Sequence, residues 1–113
     1  MQPASEWDFS SREDEIRSEI PRRLAPLRPR LVMLFGSRAA GTAHADSDYD
    51  LLVVMDVVGS GSRSVPVRKL LRGLGVPFDV IVYTPDEWER ARAHPQALAH
   101  QILEHGQVLD GSP

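Results

Sequence analysis

The chain has no cysteine. Disulfides, thiolate metal sites and thiol nucleophiles are therefore excluded, although this says little about compartment. Long hydrophobic runs are also absent, and no stretch approaches the roughly 20 apolar residues that span a bilayer. The N-terminus carries Glu6 and Asp8 and lacks the apolar core of a secretory signal, so a cytoplasmic protein is expected. Lysine is nearly missing, with twelve arginines to one lysine. A net charge of −3 argues against a general nucleic-acid binder, and the scattered arginines read mainly as solvated helix face.

What remains is ordinary soluble composition, 42% hydrophobic and 26% charged over 113 residues. That length suits a single domain, residues 1–113, able to bury roughly two-thirds of its unfolded surface. Residues 1–9 read as a loose terminus. Ser10 or Ser11 is a candidate cap for a helix carrying Ile16, Ile20, Leu24 and Leu27 at helical spacing. Pro21 should kink or split it, and Pro26 and Pro29 should end it.

Leu31–Phe35 reads as a buried strand, followed by a loop from Gly36 to Ser47 and a second strand over Tyr49–Met55 that is covered on both faces. Val67, Leu70, Leu71 and Leu74 mark one helix face, with Ser62 or Ser64 as its cap and Gly75 and Pro77 as its stop. Phe78–Tyr83 forms a third strand. Thr84-Pro85-Asp86-Glu87 has the pattern of a capping box with proline at the first helical position, opening a helix to about Ala93. Pro95 should start another helix with Leu98, Ile102 and Leu103 inward, and Gln107–Asp110 a short last strand. Trp88 reads as core. This order predicts a small mixed β-sheet flanked by helices, an α/β or α+β domain.

The chemistry concentrates in Leu34-Phe35-Gly36-Ser37-Arg38 and in Ser47-Asp48-Tyr49-Asp50. Alternate strand residues share a face, so Asp48 and Asp50 should stand side by side. Two aligned carboxylates repel unless a cation or proton intervenes. They attract Mg²⁺, which in turn binds phosphate oxygens. The Gly36-Ser37 turn can offer backbone N–H groups and a hydroxyl to a triphosphate. Asp79 is unfavourable inside a strand and can complete a triad if its strand lies beside the second.

Two common motifs fail. A P-loop would need lysine where Thr42 stands and a hydroxyl where Ala43 stands. A calcium loop opening at Asp46 would need glycine where Leu51 stands and glutamate where Val57 stands. Asp46 and His44 read as turn residues. His94, His100 and His105 have no complementing carboxylate of the zinc-helix type.

Gly36-Ser37, ten intervening residues, Asp48-Tyr49-Asp50 and a later strand Asp79 resemble the nucleotidyltransferase superfamily of DNA polymerase beta. Within it, the chain is most similar to the minimal nucleotidyltransferases of prokaryotes, over roughly Leu31 to Asp110. The resemblance implies a polymerase beta-like palm. It also implies ATP as nucleotide donor, with Gly36 and Ser37 holding the β- and γ-phosphates. Asp48 and Asp50 would bind two Mg²⁺ ions, and Asp79 would share the catalytic metal and help deprotonate the attacking hydroxyl. Arg38 can reach a phosphate as a bidentate donor.

The implied partner is a HEPN-domain toxin, silenced by transfer of AMP to a protein hydroxyl, with this chain as antitoxin. Two alternatives stay open. One is transfer to a small molecule such as an aminoglycoside. The chain ends at Pro113, so that pocket would need a homo-oligomer or a partner to complete it. The other is a non-catalytic antitoxin that occludes its partner.

Overall fold

A computed structural model describes residues 4–44 and 47–113, with side chains from residue 12 onward. The first helix, α1, runs Ala4–Leu24 and passes into a 3₁₀ turn over Ala25–Leu27. Strand β1 (Leu31–Phe35) follows, then the short helix α2 (Ser37–Ala40), β2 (Tyr49–Val54), α3 (Ser64–Leu70) and β3 (Phe78–Tyr83). The chain continues through α4 (Pro85–Arg92) and α5 (Leu98–His105) to β4 (Gln107–Gly111).

The four strands form one sheet in the order β3-β2-β1-β4. β1 is antiparallel to both neighbours, and β2 and β3 are parallel, joined by the α3 crossover. This mixed sheet is the expected architecture. It is apolar on both faces because helices cover both. Val32, Leu34, Tyr49, Leu51, Val53 and Val80 pack with Ile16, Ile20 and Leu24 of α1 and Val67 of α3. The alternate residues Leu31, Met33, Leu52 and Val54 pack with Trp88 of α4 and Ala99 and Ile102 of α5. Among the described residues no helix is long and apolar enough to cross a membrane.

Several expectations shift. α1 begins at Ala4, so Ser10 and Ser11 lie inside it and Ala4 to Phe9 are helical rather than loose, while Met1 to Pro3 lie outside the described residues. A helix nucleated by docking of Ile16, Ile20 and Leu24 propagates outward, since serine is only mildly unfavourable within it. The helix also runs unbroken past Pro21 to Leu24. Part of the Gly36–Ser47 loop folds into α2, and Asp46 lies outside the described residues. α3 has Arg63 at its cap position with no side-chain cap, in place of Ser62 or Ser64. The last helix starts at Leu98 rather than Pro95, because His94–Ala97 closes a turn first. Leu98, in its first turn, is 49% exposed and is not core.

The capping box forms as read. Thr84 Oγ1 accepts from the Glu87 N–H at 3.2 Å, and the Glu87 carboxylate accepts from the Thr84 N–H at 2.9 Å. A hydrogen bond from Arg63, then the one from Thr84, holds the Glu87 carboxyl at about 2 instead of 4.5. The folded value is depressed, so this contribution is present above pH 4.5 and is lost as pH falls towards 2. Glu87→Gln should therefore be less stable than wild type at neutral pH. In thermal melts the gap should close as pH falls through that window.

Candidate functional site

The site forms where β1 ends and β2 and β3 begin. Antiparallel pairing places Phe35 opposite Asp50, and parallel pairing places Asp50 beside Asp79. Leu52 and Val54 face α4 and α5, and so does Ile81. By alternation Asp50 and Asp79 open on that same face. Asp48 precedes β2 with the same parity and is exposed. The sheet thus delivers Asp50 and Asp79 to one end and one face, with Asp48 immediately before that end and close enough to act on the Asp50 charge.

Burial first, and then the negative charges of Asp79 and Asp48, push the Asp50 carboxyl above the usual aspartate range. Among the described residues, Asp79 alone of the three has an ion pair, with Arg68 of α3, whose guanidinium lies 4.0 Å from its carboxylate. The same guanidinium donates to the Phe78 carbonyl at 2.7 Å, which holds it at the start of β3.

Gly36 completes the end of β1 with φ 72° and ψ −152°, a region essentially restricted to glycine. A Cβ there would stand 2.1 Å from Asp50 Oδ2. The turn therefore lies directly against the carboxylate. Ser37 begins α2 immediately beyond it.

Arg38 turns the other way. Its side chain goes to the α1 side of the sheet, not to the carboxylate face, and is 3% exposed. The guanidinium lies 4.2 Å over the Tyr49 ring, 3.7 Å from Glu13 of α1, and donates to the Ser47 carbonyl at 2.8 Å. The outward reach to a phosphate expected from sequence is not the geometry found. A buried guanidinium left unmatched costs several kcal/mol, so burial on these partners wins over a solvent-facing rotamer.

Sequence inspection missed the residues that brace this turn. Arg17 of α1 donates to the Arg38 carbonyl at 2.9 Å, and Gln107 of β4 donates to the Ala39 carbonyl at 3.1 Å. These pairs are 21 and 68 residues apart, and no local pattern signals them. His44 is exposed, and its backbone N–H donates to Ser47 Oγ at 2.8 Å. His100 bridges Glu104 and the Arg92 carbonyl, a link between α4 and α5.

The donors suit Mg²⁺. All are hard carboxylate oxygens, and the missing Cβ of Gly36 leaves space beside Asp50. Among the described residues no three acidic or imidazole groups close into a ready-made cage. An open pair awaiting phosphate oxygens is how Mg²⁺ is usually held.

An α+β palm with a carboxylate pair beside a Gly-Ser turn is the class that this fold and site define. The chain belongs to the nucleotidyltransferase domain family, whose model matches residues 13–109. Two solved structures share the fold. One is a toxin–antitoxin crystallised with AMP-PNP, 25% identical, TM-score 0.62, covering 85% of this chain and 73% of its own. The other is a mutant of the toxin–antitoxin MntA–HpeT, 20% identical, TM-score 0.60, with the same coverage. No curated protein matches the chain.

The raised Asp50 value has a sign. Its contribution to stability is present below the unfolded aspartate pKa and is lost as pH rises through the folded one. In EDTA, the stability difference between Asp50→Asn and wild type should grow in the mutant's favour between about pH 3 and 7. Mg²⁺ should narrow it at neutral pH. Thermal melts of both proteins measure this, and a pH-independent difference would contradict the acidic-pair assignment.

Proposed function

We propose that this chain is a Mg²⁺-dependent nucleotidyltransferase that moves AMP from ATP to a hydroxyl of a partner protein, a HEPN-domain toxin, and so serves as its antitoxin. The observation that carries this reading is the register that sets Asp50 beside Asp79 with Gly36 pressed against Asp50. A structural neighbour that is a toxin–antitoxin bound to AMP-PNP supports the donor and the partner class.

Asp48 and Asp50 would hold Mg²⁺, with Asp79 sharing the catalytic ion. When bound, the ions neutralise charge on the attacking and leaving oxygens of an in-line displacement. Gly36 and Ser37, through backbone N–H groups and the Ser37 hydroxyl, hold the β- and γ-phosphates over the end of β1. Asp79 orients the acceptor hydroxyl and takes its proton. The acceptor oxygen forms a bond to the α-phosphorus. The bond from that phosphorus to the β-bridging oxygen breaks, and pyrophosphate leaves with the electron pair. Most of the rate enhancement comes from positioning and charge neutralisation. Arg38 contributes from the opposite face by fixing the turn to Ser47, the residue before Asp48.

The test is label transfer from α-³²P-ATP with Mg²⁺ into a co-encoded HEPN protein. Asp48→Asn and Asp50→Asn should each lower transfer by about 10³-fold or more, as loss of a principal charge-stabilising group does. A labelled band absent in the mutants supports protein AMPylation. Full activity in either mutant would remove the metal-site assignment. Binding of the partner without label would favour occlusion.

A further inference from the structure

We infer that the exposed basic surface formed by Arg68 and Lys69 of α3 and Arg72 of the turn that follows it, beside the free edge of β3, is where the acceptor docks, and that it takes an acidic, hydroxyl-bearing protein segment. This rests on the transfer reading above and adds the acceptor's place and charge.

In-line displacement fixes the direction of approach. On the transfer reading, the leaving pyrophosphate would lie over Gly36 and Ser37 at the end of β1, with the α-phosphorus at Asp50 of β2. The attacking oxygen must then come from the side opposite β1. The sheet order is β3-β2-β1, so that side is β3 and Asp79. Among the described residues no strand lies beyond β3, so an acceptor can reach Asp79 across an open sheet edge.

The surface flanking that edge is cationic. Arg68 stands 4.0 Å from Asp79 and is itself 46% exposed. Arg68 and Arg72 line a shallow cavity of about 390 Å³ that also touches Pro77 and Phe78, the residues leading into Asp79. Lys69, between them in sequence, is exposed. The side chains of Lys69 and Arg72 make no ion pair among the described residues. Neighbouring arginines are already committed. Arg23 donates to the Arg72 carbonyl at 2.7 Å and Arg12 to the Leu74 carbonyl at 3.1 Å, which closes the C-terminal end of this segment. Lys69 and Arg72 are therefore surplus positive charge on the segment that carries Arg68 and leads into β3, in a chain whose net charge is −3. Rim charges of this kind select partners of opposite sign. Three cations make too small a footprint for a nucleic-acid backbone in so acidic a chain, which favours a protein segment.

The test uses two peptides, Glu-Glu-Tyr-Glu-Glu and Lys-Lys-Tyr-Lys-Lys, as acceptors of label from α-³²P-ATP with Mg²⁺. Wild type should label the acidic peptide with a kcat/KM about tenfold or more above the basic one. Lys69→Glu/Arg72→Glu should invert the preference, chiefly through KM. Its Mg²⁺-dependent binding of trinitrophenyl-ATP should match wild type, since neither residue touches the phosphate turn or the carboxylates.

Equal labelling of the two peptides, a wild-type preference for the basic one, an unlabelled acidic peptide, or a double mutant with unchanged preference would each overturn the docking surface. Preferential label on the 3′-hydroxyl of a short single-stranded RNA would overturn it as well, and would redirect the patch to nucleic acid. If wild type failed to bind trinitrophenyl-ATP with Mg²⁺, the transfer reading itself would fall, and the docking surface with it.

Discussion

Everything in this site depends on one close approach, that of the Gly36 backbone to the Asp50 carboxylate. The antiparallel β1–β2 register brings them together, and the absence of a side chain at Gly36 lets them stay there. On the proposed function, the Gly36-Ser37 turn would bind phosphate and β2 would bind metal, and the two must be near neighbours for one cation to touch both. The fold meets this demand with a residue that costs conformational entropy elsewhere but has no steric alternative here. The same approach buries Asp50 enough to raise its pKa, and the nearby charges of Asp79 and Asp48 add to the effect. Without a cation these like charges repel, and the proposed Mg²⁺ would relieve that repulsion.

The two faces of the sheet divide the labour. On the face toward α4 and α5, carboxylates meet solvent. On the face toward α1, Arg38 is buried between Tyr49, Glu13 and the Ser47 carbonyl. Arg38 follows Ser37 and grips Ser47, so one side chain spans the loop that separates the Gly-Ser turn from the acidic strand. Arg17 and Gln107 hold the carbonyls of that turn from α1 and β4. α1 thus does more than cover apolar surface, since it supplies the polar partners that let an arginine sit inside.

Much of this was legible in the residues. Strand positions followed from short apolar runs, and β3 was read to its observed ends because Pro77 and the Thr84 capping box bound it. The spacing of Asp48 and Asp50 needs only the two-residue period of a strand. The lie of Asp79 beside them needed the parallel pairing, which no local pattern dictates. Arg38 shows where local inference ends. Next to a Gly-Ser turn an arginine looks like a phosphate donor, but its orientation is set by Glu13 and Tyr49, which are distant in sequence or lie across the loop. The helix over Ala4 to Phe9 and the exposure of Leu98 were likewise decided by tertiary docking and by where a helix begins, not by residue type.

The most direct measurement is calorimetric titration of α,β-methylene-ATP, which cannot release pyrophosphate, into wild type and Asp50→Asn, each with Mg²⁺ and with EDTA. Binding by wild type only when Mg²⁺ is present, and its loss in Asp50→Asn, is the predicted result. Equal affinity in all four conditions would show that the nucleotide does not meet a cation at Asp50, and would contradict the assignment of this face as the transfer site.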